Sequence, residues 1–390
     1  METFSLDAGD VHARLDAGAR ASVAVRDRVH RRIEDGAPLD VDDLAVLWHA
    51  PLDATAMQAL AEALRARRPR PLETFSPLYI TNTCDAECLM CGMRRDNDAL
   101  HRETVDLAAV DAQLRILQRR GMQGVALLTG EYRAGGREWA IAHVNQALHR
   151  ATALGFRHVL INIGALDSDE YDALLDGLPR RADGALAAKL TMCTFQETYS
   201  RTVYRKFMGG TPDNPRADFD RRLANFDRAR AAGLRVANPG VLVGLNPDLG
   251  FELMALALHA RHLLAHGMEV YLSVPRLRQI AGRSNQRGAD DDAFVRLVSV
   301  LSLGLPDAKI VLTTREPADI QRRLVPLVGV LSAGSAAVAP YTETGAHFPL
   351  ESSQFEVIDQ RPFEQILADW RGSAGIENFH PPAPTADVSG

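Results

Sequence analysis

The sequence predicts an α/β protein, a (βα)8 TIM-type barrel carrying a helical N-terminal extension. Three observations predict it. Short apolar runs alternate with longer amphipathic stretches from about residue 78 onward. Eight such runs occur, the number a parallel barrel needs to close, whereas a doubly wound sheet usually has fewer. Three of the four cysteines lie in ITNTCDAECLMCGMRR (80–95), directly after the first run, at the end of the strand where barrel enzymes place their chemistry.

Residues 1–70 carry Ala, Leu and Arg at helical spacing with few β-branched runs, so they read as helices. Pro69, Pro71 and Pro77 mark a break before the first strand, LYIT at 78–81. The other expected strands are GVALLTG (124–130), HVLINIG (158–164), AKLTMCT (188–194), VANPGVLVGL (236–245), EVYLSV (269–274), KIVLTT (309–314) and VGVLSAG (328–334). VDLAAVDAQLRILQRRG and FELMALALHARHLLAHG are two of the helical stretches between them. The expected organisation is a helical extension over 1–74, the barrel over 75–372, and a flexible Pro/Ala-rich tail over 373–390.

Composition excludes several classes. Apolar residues make up 46% and charged residues 24%, an ordinary globular balance. A net charge of -6 gives no support for nucleic acid or an acidic membrane as partner. The opening METFSLDAGDVHARLDAG lacks a basic region followed by an apolar core, and no run approaches a membrane span, so a soluble, cytoplasmic protein is expected. Four cysteines in 390 residues do not make a disulfide framework. Lysine occurs only as Lys189, Lys206 and Lys309, which leaves few candidates for Schiff-base chemistry.

Cys84, Cys88 and Cys91 are spaced C-x3-C-x2-C. Three thiolates can hold three irons of a [4Fe–4S] cluster and leave the fourth iron open to an external ligand. A structural zinc site wants four ligands, usually from two C-x2-C knuckles. No second knuckle is present, and His101 lies ten residues beyond Cys91 in a polar segment, so zinc is the weaker reading. Cys193 falls within an expected strand and reads as a small buried core residue.

C-x3-C-x2-C after a first barrel strand resembles the signature of the radical S-adenosylmethionine (SAM) superfamily. The resemblance implies that the amino and carboxylate groups of SAM chelate the open iron, and that reductive cleavage yields a 5′-deoxyadenosyl radical. The residue before the third cysteine, commonly aromatic in that superfamily, is Met90 here, whose polarisable sulfur can still contact a ring. TGEY (129–132) looks like the SAM-amine motif and implies that Gly130 and Glu131 meet the ammonium. FQETYSRTVYRKF (195–207) resembles a segment of the aromatic amino-acid lyases: the tyrosine lyases of thiamine and [FeFe]-hydrogenase cofactor assembly, and the tryptophan lyase of nosiheptide-type antibiotic biosynthesis. By that resemblance Glu197 binds the SAM ribose, and Arg222, in DFDRRLANFDRARAAGLRVANPGVLVGL (218–245), pairs with the SAM carboxylate. SVPRLR (273–278) recurs in the lyases, and the resemblance covers about residues 75–370. Singly, Glu197 reads as a helix-dipole charge and Arg222 as a solvated arginine. Their placement at successive strand ends favours the functional reading.

TTREP (313–317) and LSAGS (331–335) end the last two strands. A guanidinium fork suits a substrate carboxylate, so Arg315 is the expected clamp, with the Ser332 hydroxyl as a further donor and Ser335 as its neighbouring alternative. The plainer reading of Arg315 is a salt bridge to Glu316 or Asp319. By the resemblance Tyr79 lines the same pocket.

The implied reaction begins with hydrogen abstraction from the amino group of an aromatic L-amino acid. Breaking Cα–Cβ releases dehydroglycine with a p-cresol-type or skatole-type radical. Breaking Cα–C(carboxylate) allows a carboxyl fragment to migrate onto indole, giving 3-methyl-2-indolic acid. The hydrogenase-type enzyme carries a second cysteine-bound cluster, and only Cys193 remains for one here. CGMRRDNDAL resembles the continuation in the tryptophan lyase and the pyrrolysine-pathway mutase, and the lyase-like QETY argues against the mutase. L-Tryptophan is therefore the leading expectation and a tyrosine lyase the alternative. A non-catalytic iron–sulfur sensor or scaffold would need the cysteines but not Glu131, Glu197 and Arg222. The implied partners are SAM, the amino acid and an electron donor such as a flavodoxin or ferredoxin.

Overall fold

The alternation of apolar and amphipathic runs folds into a closed barrel of eight parallel strands, each hydrogen-bonded to its sequence neighbour, with β8 closing on β1. The structure is a computed structural model and describes residues 3–69, 71–182, 184–284 and 288–374. The strands are β1 (Glu73–Tyr79), β2 (Gly124–Leu128), β3 (His158–Asn162), β4 (Lys189–Cys193), β5 (Val236–Asn238), β6 (Glu269–Ser273), β7 (Lys309–Thr313) and β8 (Val330–Ser332). β2 is buried on both faces, as the outer helices and the barrel interior require of a parallel strand. Residues 375–390, most of the expected flexible tail, lie outside the described residues.

The first strand departs from expectation. It begins at Glu73 rather than Leu78, ends at Tyr79, and contains Pro77, which the sequence suggests as a break. Proline lacks a donor and is tolerated where the ladder asks for none. Pro77 meets this condition because β8 pairs with β1 only as far as Phe75, opposite Ser332. The Pro77 carbonyl accepts instead from the Tyr341 hydroxyl at 2.5 Å, and the Tyr79 carbonyl accepts from Ala339 N. β5 is likewise shorter than VANPGVLVGL, ending just before Pro239.

The N-terminal segment is helical as expected, with helices Ala8–Ala19, Val23–Glu34, Val41–Trp48 and Ala54–Ala66. Each starts at a side-chain cap, from Asp7, Ser22, Asp40 and Asp53. Ala54–Ala66 packs on the barrel helix Asp291–Gly304, and Val41–Trp48 on Leu249–Ala265. Arg296 donates to the carbonyls of Leu47, Trp48, Ala50 and Leu52, tying the end of one extension helix to the barrel. Among the described residues no helix is long and apolar enough to cross a membrane.

The bottom of the barrel is filled by charge. Glu73 accepts from Lys189 at 3.2 Å, from Lys309 and from the Tyr271 hydroxyl, and Glu269 accepts from both lysines. His158 bonds Thr191 Oγ1 at 2.6 Å beside them. Burial works against the Glu73 charge, but Lys189 and Lys309 outweigh it and hold the carboxyl down at about 2. Two of the three lysines are thus spent on a structural plug, and Lys206 is exposed.

Candidate active site

The loop after β1 folds back on the loop after β2. Asp85 N donates to the Glu131 carbonyl at 2.9 Å, Glu131 N donates to Cys84 Sγ at 3.3 Å, and the Tyr132 hydroxyl donates to the Thr83 carbonyl at 2.8 Å. Gly130 permits this approach. A Cβ there would stand 2.0 Å from the Thr83 carbonyl oxygen and 2.7 Å from Cys84 Cβ. The glycine of TGEY is therefore a steric requirement of the cysteine loop.

Cys84, Cys88 and Cys91 line one cavity at the barrel mouth, together with buried Met90. Burial pushes the Cys84 thiol up to about 12, and raises Cys88 and Cys91 as well. Thiols so placed are poor nucleophiles, but deprotonation on coordination to iron removes that difficulty. Among the described residues no three His, Cys, Asp or Glu side chains converge closely enough to hold a single metal ion. Three cysteines on the wall of one cavity are the donor set that a cubane with one open iron takes, because each binds a different iron. His101 is exposed and does not line the cavity.

Beside the cysteines runs a chain of buried charges. Arg222 Nη1 donates to Glu131 at 2.9 Å and Arg222 Nε to the Phe195 carbonyl at 2.7 Å. Arg216 bridges the two acids, with Nε 3.3 Å from Glu131 and Nη2 donating to Glu197 at 3.1 Å. Burial would raise the Glu131 carboxyl, but Arg222 and Arg216 hold it below the usual range. Burial also works against the Arg216 charge, yet Cys88, Glu131 and Glu197 raise its pKa well above normal. Glu131 and Arg222, expected to meet opposite ends of SAM, thus meet each other. Sequence reasoning missed Arg216, whose only signal is a place between QETY and Arg222.

Glu197 has a φ of 67°, a left-handed conformation that costs a non-glycine residue of order 1 kcal/mol or more. The turn is held from both sides. Glu197 N donates to the Gly240 carbonyl and Leu242 N to that of Glu197. Behind it, Glu252 accepts from Thr198 Oγ1 at 2.5 Å, Tyr199 N at 2.9 Å and Asn246 Nδ2 at 2.7 Å. Burial raises the Glu252 carboxyl, which has no salt bridge among the described residues. Its role was not visible in sequence because it lies on a helix 55 positions beyond Glu197.

At the substrate end, Glu316 does not pair with Arg315. It accepts from Arg276 Nε at 2.8 Å and Arg278 Nη2 at 2.9 Å. Asp319 is exposed. The Arg315 guanidinium lines the cavity, lies 3.3 Å from the centre of the Phe355 ring, and has no ion pair among the described residues. Burial lowers its pKa to about 10, opposed by Tyr79 and Glu197, so it stays charged near neutrality. Ser335 Oγ accepts from Ala337 N at 2.8 Å within its turn, whereas the Ser332 hydroxyl has no hydrogen-bond partner among the described residues. The Tyr79 hydroxyl donates to Gln354 Oε1 at 2.5 Å, and Gln354 Nε2 donates to Cys91 Sγ at 3.3 Å. Gln354 and Phe355 come from a late segment that sequence reasoning did not connect with the site. Cys193 lies on the lumen wall, where Asn238 donates to its sulfur at 3.4 Å.

Every residue singled out from sequence for the cluster, for SAM and for the substrate lines this one cavity.

No protein-family model matches the chain. Over 382 residues it is 28% identical to the 2-iminoacetate synthase of Escherichia coli K12, covering 94% of this chain and 93% of that enzyme. The Salmonella typhimurium 2-iminoacetate synthase is 26% identical over the same length and coverage. The [FeFe]-hydrogenase maturase HydG of Carboxydothermus hydrogenoformans superposes with a TM-score of 0.78 at 24% identity, covering 94% of this chain and 82% of that one. Methylornithine synthase shares the fold at a TM-score of 0.66 and 17% identity, over 88% of this chain and 95% of that one. The similarity runs through the N-terminal helices as well as the barrel, and it bears out the resemblance to the aromatic amino-acid lyases of the radical SAM superfamily.

Proposed function

We propose that this protein is a radical SAM carbon–carbon lyase that takes an aromatic L-amino acid, and that the amino acid is L-tyrosine, cleaved between Cα and Cβ. The observation that carries the reading is Arg315: a half-buried guanidinium, without a carboxylate of its own among the described residues, on the wall of the cavity that holds the three cysteines. An unanswered buried cation is costly unless a ligand completes it, and an amino-acid carboxylate fits a guanidinium fork.

The choice of bond follows from the product for which the curated relatives are named. 2-Iminoacetate keeps Cα bonded to the carboxylate, so forming it from an amino acid breaks Cα–Cβ. That favours the tyrosine alternative over L-tryptophan with carboxyl migration. The tryptophan expectation rested on CGMRRDNDAL, and part of that stretch has a packing role. Gly92 sits where a Cβ would meet the Gln354 carbonyl oxygen at 2.7 Å, and Arg95 pairs with Glu87 away from the cavity. Neither reads the identity of a ring.

When bound, the [4Fe–4S] cluster and SAM supply the radical that takes hydrogen from the substrate. Cys84, Cys88 and Cys91 hold the cluster. Glu131, Arg216, Arg222 and Glu197 offer paired charges to the zwitterionic end and the ribose of SAM. Arg315 and Ser332 take the substrate carboxylate, and Phe355 fixes the plane of the guanidinium. The lumen wall of Phe75, Leu128 and Val311 gives the ring an apolar surface. Holding the carboxylate while the ring is confined turns fragmentation into a matter of positioning.

The test is an anaerobic assay of the reconstituted protein with SAM and dithionite, given L-tyrosine or L-tryptophan separately. p-Cresol and glyoxylate, the hydrolysis product of 2-iminoacetate, are expected from tyrosine. Formation of 3-methyl-2-indolic acid from tryptophan would return the reading to the indole substrate. If neither amino acid raised 5′-deoxyadenosine above the substrate-free level, Arg315 would lose its role as an amino-acid clamp.

A further inference from the structure

Gln354 joins the two halves of the cavity. Its side-chain amide stands between Tyr79, at the substrate end, and Cys91, the last cysteine of the triad. The orientation of that amide is determined by its partners. The Tyr79 hydroxyl donates to Oε1 at 2.5 Å, which turns Nε2 toward the Cys91 sulfur at 3.3 Å. The reverse orientation would set a carbonyl oxygen against a thiolate.

The backbone fixes Gln354 as firmly as the side chain. Gln354 N donates to the Ala336 carbonyl at 2.9 Å, and the Gln354 carbonyl accepts from Gly92 N at 2.9 Å. Gly92 follows Cys91 directly, and any larger residue there would strike the 353–354 backbone. The segment is therefore docked on the cluster loop at the residue next to a cluster ligand. Among the described residues Cys84, by comparison, receives backbone donors alone, from Ala86 and Glu131. Cys91 receives, besides a backbone donor from Met93, a side-chain donor that substitution can remove.

A hydrogen bond to a ligating sulfur withdraws charge from it, stabilises the reduced cluster and raises its reduction potential. We infer that Gln354 is a positioning residue of the cluster, which sets its reduction potential through Cys91 and is itself aligned by Tyr79. The inference rests on the reading of the three cysteines as a [4Fe–4S] site. Because Tyr79 also lines the cavity, the same amide stands between its substrate end and the cysteine loop.

The experiment is a potentiometric titration of the reconstituted full-length protein, without substrate, followed by the EPR signal of the reduced cluster. Gln354→Met keeps the length and removes the donor, and a negative shift of the midpoint is expected. Gln354→Glu sets a carboxylate against the sulfur, and a larger negative shift is expected. Tyr79→Phe frees the amide to turn, and a shift smaller than that of Gln354→Met is expected. Midpoints of Gln354→Met and Gln354→Glu equal to or above wild type would overturn the inference. Should Gln354→Glu fail to retain iron, Gln354→Met decides alone. Iron and sulfide content of the wild-type protein separates the two levels: a wild type that forms no cluster overturns the reading of the cysteines, whereas a loaded cluster with an unmoved midpoint overturns only the role of Gln354.

Discussion

At the bottom of the barrel two carboxylates and two ammonium groups answer one another, while at its mouth a guanidinium stands without a carboxylate among the described residues. Glu73 and Glu269 meet Lys189 and Lys309, with the Tyr271 hydroxyl completing the plug. Arg216 and Arg222 are matched by Glu131 and Glu197, but among the described residues Arg315 has the face of Phe355 and no ion pair. Both ends take charge out of water, the mouth more completely: the Arg216 and Arg222 side chains are 9% and 5% exposed, those of Lys189 and Lys309 29% and 20%. The lower end uses it to close the fold, and the upper end leaves part of it for a ligand, in keeping with barrels that keep stability and chemistry at opposite faces.

Substitutions at the two ends should therefore separate activity from stability. The largest effect is expected at the cysteines: Cys88→Ala should abolish 5′-deoxyadenosine formation and lower iron content, with the fold retained by circular dichroism. Arg315→Ala should lower kcat/KM for the amino acid by roughly 100- to 1000-fold, the cost of losing a charge-assisted fork of about 3–4 kcal/mol. Arg315→Lys should recover little, because an ammonium cannot bind two oxygens in one plane. Neither change should lower the melting temperature. An Arg315→Ala variant that melted well below wild type would break the contrast, since it would make the guanidinium structural.

Glu73→Ala should do the opposite. Leaving Lys189 and Lys309 to share Glu269 alone should cost about 1–3 kcal/mol in chemical denaturation, with the KM for the amino acid unchanged. The pH profile sharpens the point. The Glu73 carboxyl is depressed to about 2 in the fold, so its contribution is fully present above the unfolded carboxylate value near 4.5. It is lost as the pH falls from there toward 2. Glu73→Gln should flatten that acid limb of the stability curve.

A smaller effect is expected behind the strained turn. Glu252→Gln keeps the shape but weakens the bonds to Thr198 and Tyr199, so about 1–2 kcal/mol of stability and a few-fold in SAM affinity should be lost. Titration of SAM by calorimetry would detect it. An unchanged affinity would mean that the Glu197 turn holds without Glu252. The smallest effect is expected at Lys206, exposed on the helix Arg201–Met208 and without an ion pair among the described residues, where Lys206→Ala should change stability by less than about 0.5 kcal/mol.

The barrel was legible because its signals are local. A buried parallel strand must be apolar along its length, the helices between must show a 3.6-residue stripe, and β2, β3, β4, β6 and β7 each begin within a residue of where those patterns place them. Pro77 was misread because its tolerance depends on where β8 stops pairing, a fact about a segment more than 250 positions away. In the site, the cysteines, TGEY, QETY and Arg222 were found because each sits within a short recognisable stretch. Arg216, Glu252 and Gln354 were not, because no spacing marks them.

By itself, then, the sequence determined which residues can ligate iron, how many strands could close a barrel, and that the cysteine loop follows the first strand. These are consequences of side-chain chemistry and of short-range periodicity. Only the tertiary structure decided which charges are spent and which are left over. Glu316 is adjacent to Arg315 in the chain yet bonds Arg276 and Arg278, and Gln354 reaches Cys91 across 263 positions. Whether a buried charge is satisfied depends on every group that approaches it, and that set is assembled only when distant segments meet.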